Sequence, residues 1–247
     1  IMRYKFAMVN LFIYYLSIAK VAVKFIATLH ERGRKMEKSR ETKHSVIIEI
    51  GNAITHGIGL ALAIAGLVLL IIKAAKTGSP MRIVTFTIYG STLVLFYLFS
   101  TLYHSLYFTK ARRIFQIFDH DFIYILIAGT YTPYCLVSIK GWQGWSLFGV
   151  IWALAVMGVV YKSIWLKKKS NWSTLLYVLM GWLCIVAFWP LWDALGPVGF
   201  GLLFAGGLTF TIGALFYSRP TQYTHLIWHI FVLGGTAFMF FSILLFV

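Results

Sequence analysis

Seven apolar runs, each of 19 to 27 residues, occupy most of the chain after residue 45. A helix rises 1.5 Å per residue, so about 20 residues cross roughly 30 Å of hydrocarbon. Short segments with glycine, proline or charge separate the runs. The pattern predicts an all-α integral membrane protein, a seven-transmembrane helix bundle. Its spans are expected near Val46–Ile72, Ile83–Phe108, Phe115–Ile139, Trp142–Val160, Ser173–Trp192, Gly196–Tyr217 and Tyr223–Val247.

Composition supports a membrane location. The chain has 247 residues, 60% of them hydrophobic and 12% charged, and its mean hydropathy is +0.82. Soluble domains carry roughly twice this charged fraction. The net charge of +15 would suit nucleic acid, but almost all Lys and Arg residues fall between the apolar runs. We therefore expect no nucleic-acid partner and a multi-pass protein of the cell inner (plasma) membrane.

The distribution of Lys and Arg also predicts the orientation. Beyond residue 31, one set of alternate loops carries 14 of these residues and the other set carries 4. Cytoplasmic loops of membrane proteins are enriched in Lys and Arg. The N-terminus is therefore expected inside the cell and the C-terminus outside.

The first 45 residues differ from the remainder. Phe6–Leu29 resembles a signal anchor, but Lys20 and Lys24 interrupt it and no small-residue cleavage site follows. A short polar leader begins at Met36. We interpret residues 1–45 as an N-terminal extension and basic cytosolic leader, with residues 1–35 not native or dispensable. Residues 46–247 are expected to form the seven-transmembrane domain.

Histidines and carboxylates concentrate at the predicted cytoplasmic ends of the spans. His225 and His229 are four residues apart at the start of the last span, so they share one helix face. Ser100 and His104 are one turn apart near the end of the second span, and Asp119 lies early in the third. The first span begins with Glu49, Asn52 and His56. Lipid offers no hydrogen bonds to polar groups, so these side chains are expected to meet.

This inventory suits zinc. A catalytic zinc site has three protein ligands and an open position for water, and His104, His225 and His229 provide three ligands. Asp119 can hold the water and take its proton, and Ser100 can orient a ligand or stabilise an oxyanion.

Simpler interpretations of three of these residues remain open. His104 can cap a helix end, Asp119 can be an N-terminal charge favoured by the helix dipole, and Ser100 can bond to its own helix. Asp121 and His120 are interpreted as interface residues. Glu49, Asn52 and His56 are interpreted as a supporting polar cluster.

Several motifs resemble the haemolysin III family, the bacterial branch of the progestin and adipoQ receptor family. These are Glu49-x-x-Asn52-x-x-x-His56, Ser100-x-x-x-His104, Phe118-Asp119-His120, Ala128-Gly129-Thr130-Tyr131-Thr132-Pro133 and His225-x-x-x-His229. The resemblance implies a seven-helix, N-inside bundle with zinc near the cytoplasmic face. It assigns the ligands to His104, His225 and His229, with a water held by Asp119.

Three functions follow as hypotheses. The first is a zinc-dependent hydrolase of membrane lipid amides or esters, since the resemblance extends to the Ser, Asp and three-His pattern of alkaline ceramidases. The second is a non-enzymatic sensor or regulator of membrane-lipid homeostasis with structural zinc. The third is a haemolysin, although the spans show no repeated polar face that would line a conducting pore. In the first two hypotheses a membrane lipid is the substrate or ligand.

The predicted orientation can be tested with reporter fusions. A reporter fused after Val247 should read as extracytoplasmic, and one in the loop of residues 162–170 as cytoplasmic, because the second loop belongs to the Lys- and Arg-rich set. Paired alkaline phosphatase and fluorescent-protein fusions measure this. The reverse pattern would contradict the prediction.

Overall fold

A computed structural model describes residues 45–165, 172–218 and 223–247. The predicted extension and leader, residues 1–45, lies outside the described residues except for Ser45. Ile48–Val247 forms a compact unit.

All regular structure in the described residues is helical. The helices are α1 (Ser45–Lys76), α2 (Pro80–Ser105), α3 (Arg112–Pro133), α4 (Gly141–Trp165), α5 (Trp172–Trp182), α6 (Phe188–Tyr217) and α7 (Thr224–Phe246). A π-helical segment, Tyr134–Ile139, extends α3, and a 3₁₀ segment, Leu183–Ala187, joins α5 to α6. The fold is therefore the all-α bundle that the hydrophobic pattern predicts.

Local sequence explains where two of these elements begin and end. The Ser79 hydroxyl accepts a hydrogen bond of 3.4 Å from the backbone N–H of Arg82, and Pro80 is the first residue of α2. The π segment after α3 ends at Lys140 and Gly141, whose φ angles are 58° and 55°. A right-handed helix cannot continue through positive φ, so α4 starts in a new direction.

Six helical stretches among the described residues are long and apolar enough to cross a membrane. Five have 23 to 32 residues, whereas Ser173–Tyr217 has 45. A straight helix of that length would measure about 65 Å, roughly twice the hydrocarbon thickness. The described residues thus contain six candidate spans instead of the predicted seven, because one helical stretch covers two of the predicted spans.

This long stretch folds back on itself at Gly196. Gly196 has φ 65° and ψ 177°, a conformation that glycine adopts readily. The indole N–H of Trp182 donates to the Thr211 hydroxyl at 2.9 Å, although residues 29 positions apart would be separated by about 43 Å in a straight helix. The predicted spans Ser173–Trp192 and Gly196–Tyr217 therefore correspond to the two arms of a helical hairpin.

The outer face of α1 is suited to lipid, and its inner face packs on the bundle. Ile50, Ile54, Ile58 and Leu62 repeat at four-residue spacing, and each is more than half exposed. At the opposite end of the bundle from the histidines, the Lys73 ammonium donates to the carbonyl of Leu244 on α7. Such a contact satisfies a carbonyl that the end of α7 leaves without an intrahelical partner.

Helices α2 and α3 pack closely because small residues lie between them. Gly129 of α3 faces Thr92 of α2, and a Cβ at position 129 would lie 2.9 Å from the Thr92 Cβ. Membrane helices rely on such small residues for close packing. This contact holds the helix that carries Ser100 and His104 against the helix that carries Asp119.

We expect Gly129→Ala to destabilise the bundle by about 1–3 kcal/mol, because the added methyl group overpacks the α2–α3 contact. Thermal unfolding of the purified protein in detergent measures the loss. Gly149→Ala is the matched control, since a Cβ there meets no atom within 4 Å. Equal unfolding temperatures for the two variants would contradict this account of the helix pair.

Candidate metal centre

Three histidines from two helices converge at one end of the bundle. His104 lies in the last turn of α2, and His225 and His229 lie in the first two turns of α7. The Nε2 atoms of His104 and His225 are 3.3 Å apart. One ring nitrogen from each of the three residues lies within 4.8 Å of the others. This His triad is the one group of three or more His, Cys, Asp or Glu side chains in the described chain that could hold a metal ion.

The triad is shielded by the helices that form it. His104 and His229 are 3% and 1% exposed, and the rings of His225 and His229 have centroids 4.8 Å apart. The four-residue spacing places both rings on one face of α7, as the sequence predicts. The ring of Tyr217, at the end of α6, lies 5.8 Å from that of His225 and covers it from the side.

Ser100 and Asp119 are buried next to each other at this end of the bundle. Asp119 is 8% exposed, Ser100 is fully buried, and the Ser100 side chain lies near the Asp119 carboxylate. The Ser100 Oγ lies 2.7 Å from the Nδ1 of His56. Ser100 thus has a hydrogen-bond partner on α1, whereas the sequence left open that it bonds only to its own helix.

Glu49 of α1 bridges the triad and the start of α3. One carboxylate oxygen lies 2.5 Å from the Nδ1 of His104, and the other accepts a hydrogen bond of 2.9 Å from the Arg112 guanidinium. The guanidinium also lies 4.2 Å and 5.1 Å from the ring centroids of Tyr107 and Tyr103. The sequence pattern predicts Glu49 near the site, whereas Arg112 stands out there only as one of the basic residues between two spans.

Two neighbouring residues of α1 contact His229. The His56 ring stacks on the His229 ring at a centroid distance of 3.5 Å, and the Thr55 hydroxyl lies 3.3 Å from the His229 Nδ1. The sequence motifs do not include Thr55. Its position directly before His56 is the one feature of the sequence that places it near the site. Asn52 is 2% exposed, and its carboxamide oxygen has no hydrogen-bond partner among the described residues.

His120 and Asp121, interpreted as interface residues, lie outside the triad. The Nδ1 of His120 donates to the backbone carbonyl of Gln116 at 2.6 Å. Asp121 accepts a hydrogen bond of 2.7 Å from the Ser163 hydroxyl of α4. Both side chains thus have polar partners of their own.

Comparison with known proteins identifies the family. The sequence profile described as "Haemolysin-III related" matches residues 44–240. The chain belongs to the haemolysin III family. This match agrees with the resemblance carried by the sequence motifs. Together with the apolar helices, family membership identifies a multi-pass membrane protein, consistent with the cell membrane.

Three similar proteins each match more than three quarters of the chain. "Hemolysin-3" of Bacillus cereus is 48% identical over 212 residues, 85% of this chain and 97% of that protein. "Hemolysin-3 homolog" of Bacillus subtilis (strain 168) is 50% identical over 197 residues, 79% of this chain and 92% of that protein. The human "Monocyte to macrophage differentiation factor" is 25% identical over 201 residues, 78% of this chain and 81% of that protein.

Replacing His225 or His229 with Ala should remove bound metal and lower the unfolding temperature of the metal-loaded protein. Each substitution deletes one of three ligand groups, and metal binding contributes to folding free energy. Metal content by mass spectrometry and thermal unfolding in detergent measure both effects.

His120→Ala is the matched control, because His120 lies outside the triad and should be dispensable for metal. Full metal content in both triad variants would contradict the assignment of the centre.

Proposed function

We propose that this member of the haemolysin III family is a zinc-dependent hydrolase of membrane lipid amides or esters. One observation carries the proposal: three imidazoles converge at the end of the bundle where a carboxylate and a serine hydroxyl are also buried. Three ligands leave an open position in a tetrahedral site, which distinguishes catalytic from structural zinc.

The separation of the ring nitrogens is compatible with one shared ion. Zn–N bonds of about 2.0–2.1 Å at a tetrahedral angle place two ligand nitrogens about 3.3–3.4 Å apart. The Nε2 atoms of His104 and His225 are 3.3 Å apart, and the nitrogens of all three residues lie within 4.8 Å of one another. The proposal of zinc rests on the ligand chemistry, because imidazole and carboxylate groups without a thiolate suit zinc better than softer metals. We therefore assign His104, His225 and His229 as the residues that would hold the ion.

In this proposal the side chains around the ion accept a proton and orient the general base. A bound zinc ion would supply Lewis acidity, which polarises a carbonyl group and lowers the pKa of water. Asp119 accepts a proton as the general base. When the Ser100 oxygen accepts from the Nδ1–H of His56, its own hydrogen is free to be donated to the nearby Asp119 carboxylate. In this proposal Ser100 orients the general base.

A cavity between the helices supports a lipid substrate. Its volume is about 110 Å³, and its lining is almost entirely apolar. It includes Phe96 and Ile123, one turn from Ser100 and Asp119, and it reaches Tyr217 next to His225. An acyl chain in this cavity would bring a carbonyl group towards the triad, while apolar walls exclude bulk water.

We further propose that the chain crosses the membrane seven times, with the N-terminus inside. The hairpin at Gly196 supplies two crossings from one helical stretch, which the bond between Trp182 and Thr211 supports. The triad then lies in the inner half of the bilayer, on the side of the membrane that the Lys- and Arg-rich loops face.

The names of the bacterial relatives associate those proteins with haemolysis. For this chain a pore is the weaker proposal, because the apolar cavity offers ions no polar lining. A sensor with structural zinc uses the same ligands, and loss of the Asp119 charge separates it from the hydrolase.

Asp119→Asn should keep most of the zinc and lower hydrolysis by about 10²-fold or more, because it removes the base but no ligand. The assay combines a panel of lipid amides and esters with zinc analysis. Asp121→Asn is the matched control, since Asp121 bonds to Ser163 on α4. Full zinc-dependent activity of Asp119→Asn would exclude the hydrolase. Absence of turnover by the zinc-loaded wild type across the panel would favour the sensor.

A further inference from the structure

Helix α1 contributes none of the three histidines of the triad, yet its side chains contact two of them. Glu49 contacts His104, while Thr55 and His56 contact His229. Ring nitrogens of a metal-binding histidine are not equivalent, because the partner of one nitrogen decides which atom is free to bind the ion. The partners of the Nδ1 atoms therefore determine which ring nitrogen each histidine offers to the ion.

The Glu49 carboxylate fixes the proton on His104. One oxygen of Glu49 accepts a hydrogen bond of 2.9 Å from the Arg112 guanidinium, and a carboxylate paired with a guanidinium accepts hydrogen bonds. The Nδ1 of His104, 2.5 Å from the other oxygen, must then carry the hydrogen. The Nε2 lone pair is left to face the Nε2 of His225 at 3.3 Å.

The uncharged Thr55 hydroxyl fixes the proton on the Nδ1 of His229 in the same way. Its oxygen lies 2.9 Å from the backbone carbonyls of both Gly51 and Asn52, so its single hydrogen is committed to its own helix. Only a lone pair remains for the Nδ1 of His229 at 3.3 Å. That nitrogen must therefore donate, which leaves the Nε2 of His229 for the ion.

We propose that Glu49 and Thr55 are positioning residues that hold His104 and His229 in the Nδ1–H form, so that both bind the metal through Nε2. This inference rests on the proposed metal centre but not on hydrolysis. Arg112 belongs to the same arrangement, because it donates to the second oxygen of Glu49 and so connects the first residue of α3 to the ligand His104. Helix α1 thus sets the affinity of a centre whose ligands come from α2 and α7.

The test is the zinc dissociation constant of the full-length protein in detergent, measured by competition with a chelator of known affinity. Thr55→Val should weaken zinc binding by about 10-fold, and Glu49→Gln by about 10- to 100-fold, the range for partners of metal ligands. Thr55→Ser keeps the hydroxyl and should restore affinity to within a few-fold of wild type. Because Thr55→Val changes no charge, its effect isolates the hydrogen bond from electrostatic attraction.

Two controls match the chemistry of these substitutions away from the site. Thr209→Val removes a hydroxyl that bonds to its own helix on α6, and Asp193→Asn neutralises an exposed acid. Both should leave zinc affinity unchanged. Glu49→Asp provides a second variant if Glu49→Gln fails to fold; it keeps the charge, shortens the side chain and should also weaken binding.

Wild-type affinity in Thr55→Val together with Glu49→Gln or Glu49→Asp would overturn the inference while leaving the metal centre intact. Equal weakening in Thr55→Val and Thr55→Ser would also overturn it, because the effect would then be one of packing. A wild-type protein that binds no zinc would overturn the centre itself, and this inference with it.

Discussion

The absence of water from the interior of a lipid bilayer governs the polar end of this bundle. A buried imidazole or carboxylate must find its hydrogen bonds within the protein, since lipid supplies none. Arg112, Glu49 and His104 form one such chain, and His56 and Ser100 form another pair. The first chain ends at a triad histidine, and the His56 ring of the second stacks on His229. The hydrogen bonds that satisfy these buried polar groups therefore also fix the side chains of the candidate centre in position.

Helix packing makes these bonds possible. Gly129 brings α3 close to α2, and these are the helices that carry Asp119 and Ser100. At the other end of the bundle Lys73 ties α1 to α7. With α1 held along its length, side chains of its first three turns reach the rings on α2 and α7. The geometry of the centre thus depends on contacts spread over the whole thickness of the bundle.

The sequence predicts the parts of this arrangement that depend on local periodicity. Apolar run length identifies the membrane helices, and four-residue spacing places His225 and His229 on one face. The contacts between α1 and the histidines depend on the rotation of α1 about its axis. Periodicity does not determine this rotation, so the sequence does not predict the contact of Thr55 with His229. Arg112 was missed because its position at a helix end is equally well explained by topology. The seven predicted runs appear as six helical stretches because two helices meet directly at Gly196, where the chain reverses with no loop between them.

The central claim is that three histidine nitrogens hold one zinc ion. X-ray absorption at the zinc edge of the purified protein tests it directly, because the fine structure reports the number and kind of ligand atoms. We expect one zinc per chain with three imidazole ligands at about 2.0–2.1 Å, one further oxygen ligand and no sulfur ligand. A spectrum with sulfur ligands, or with fewer than three imidazoles, would contradict it.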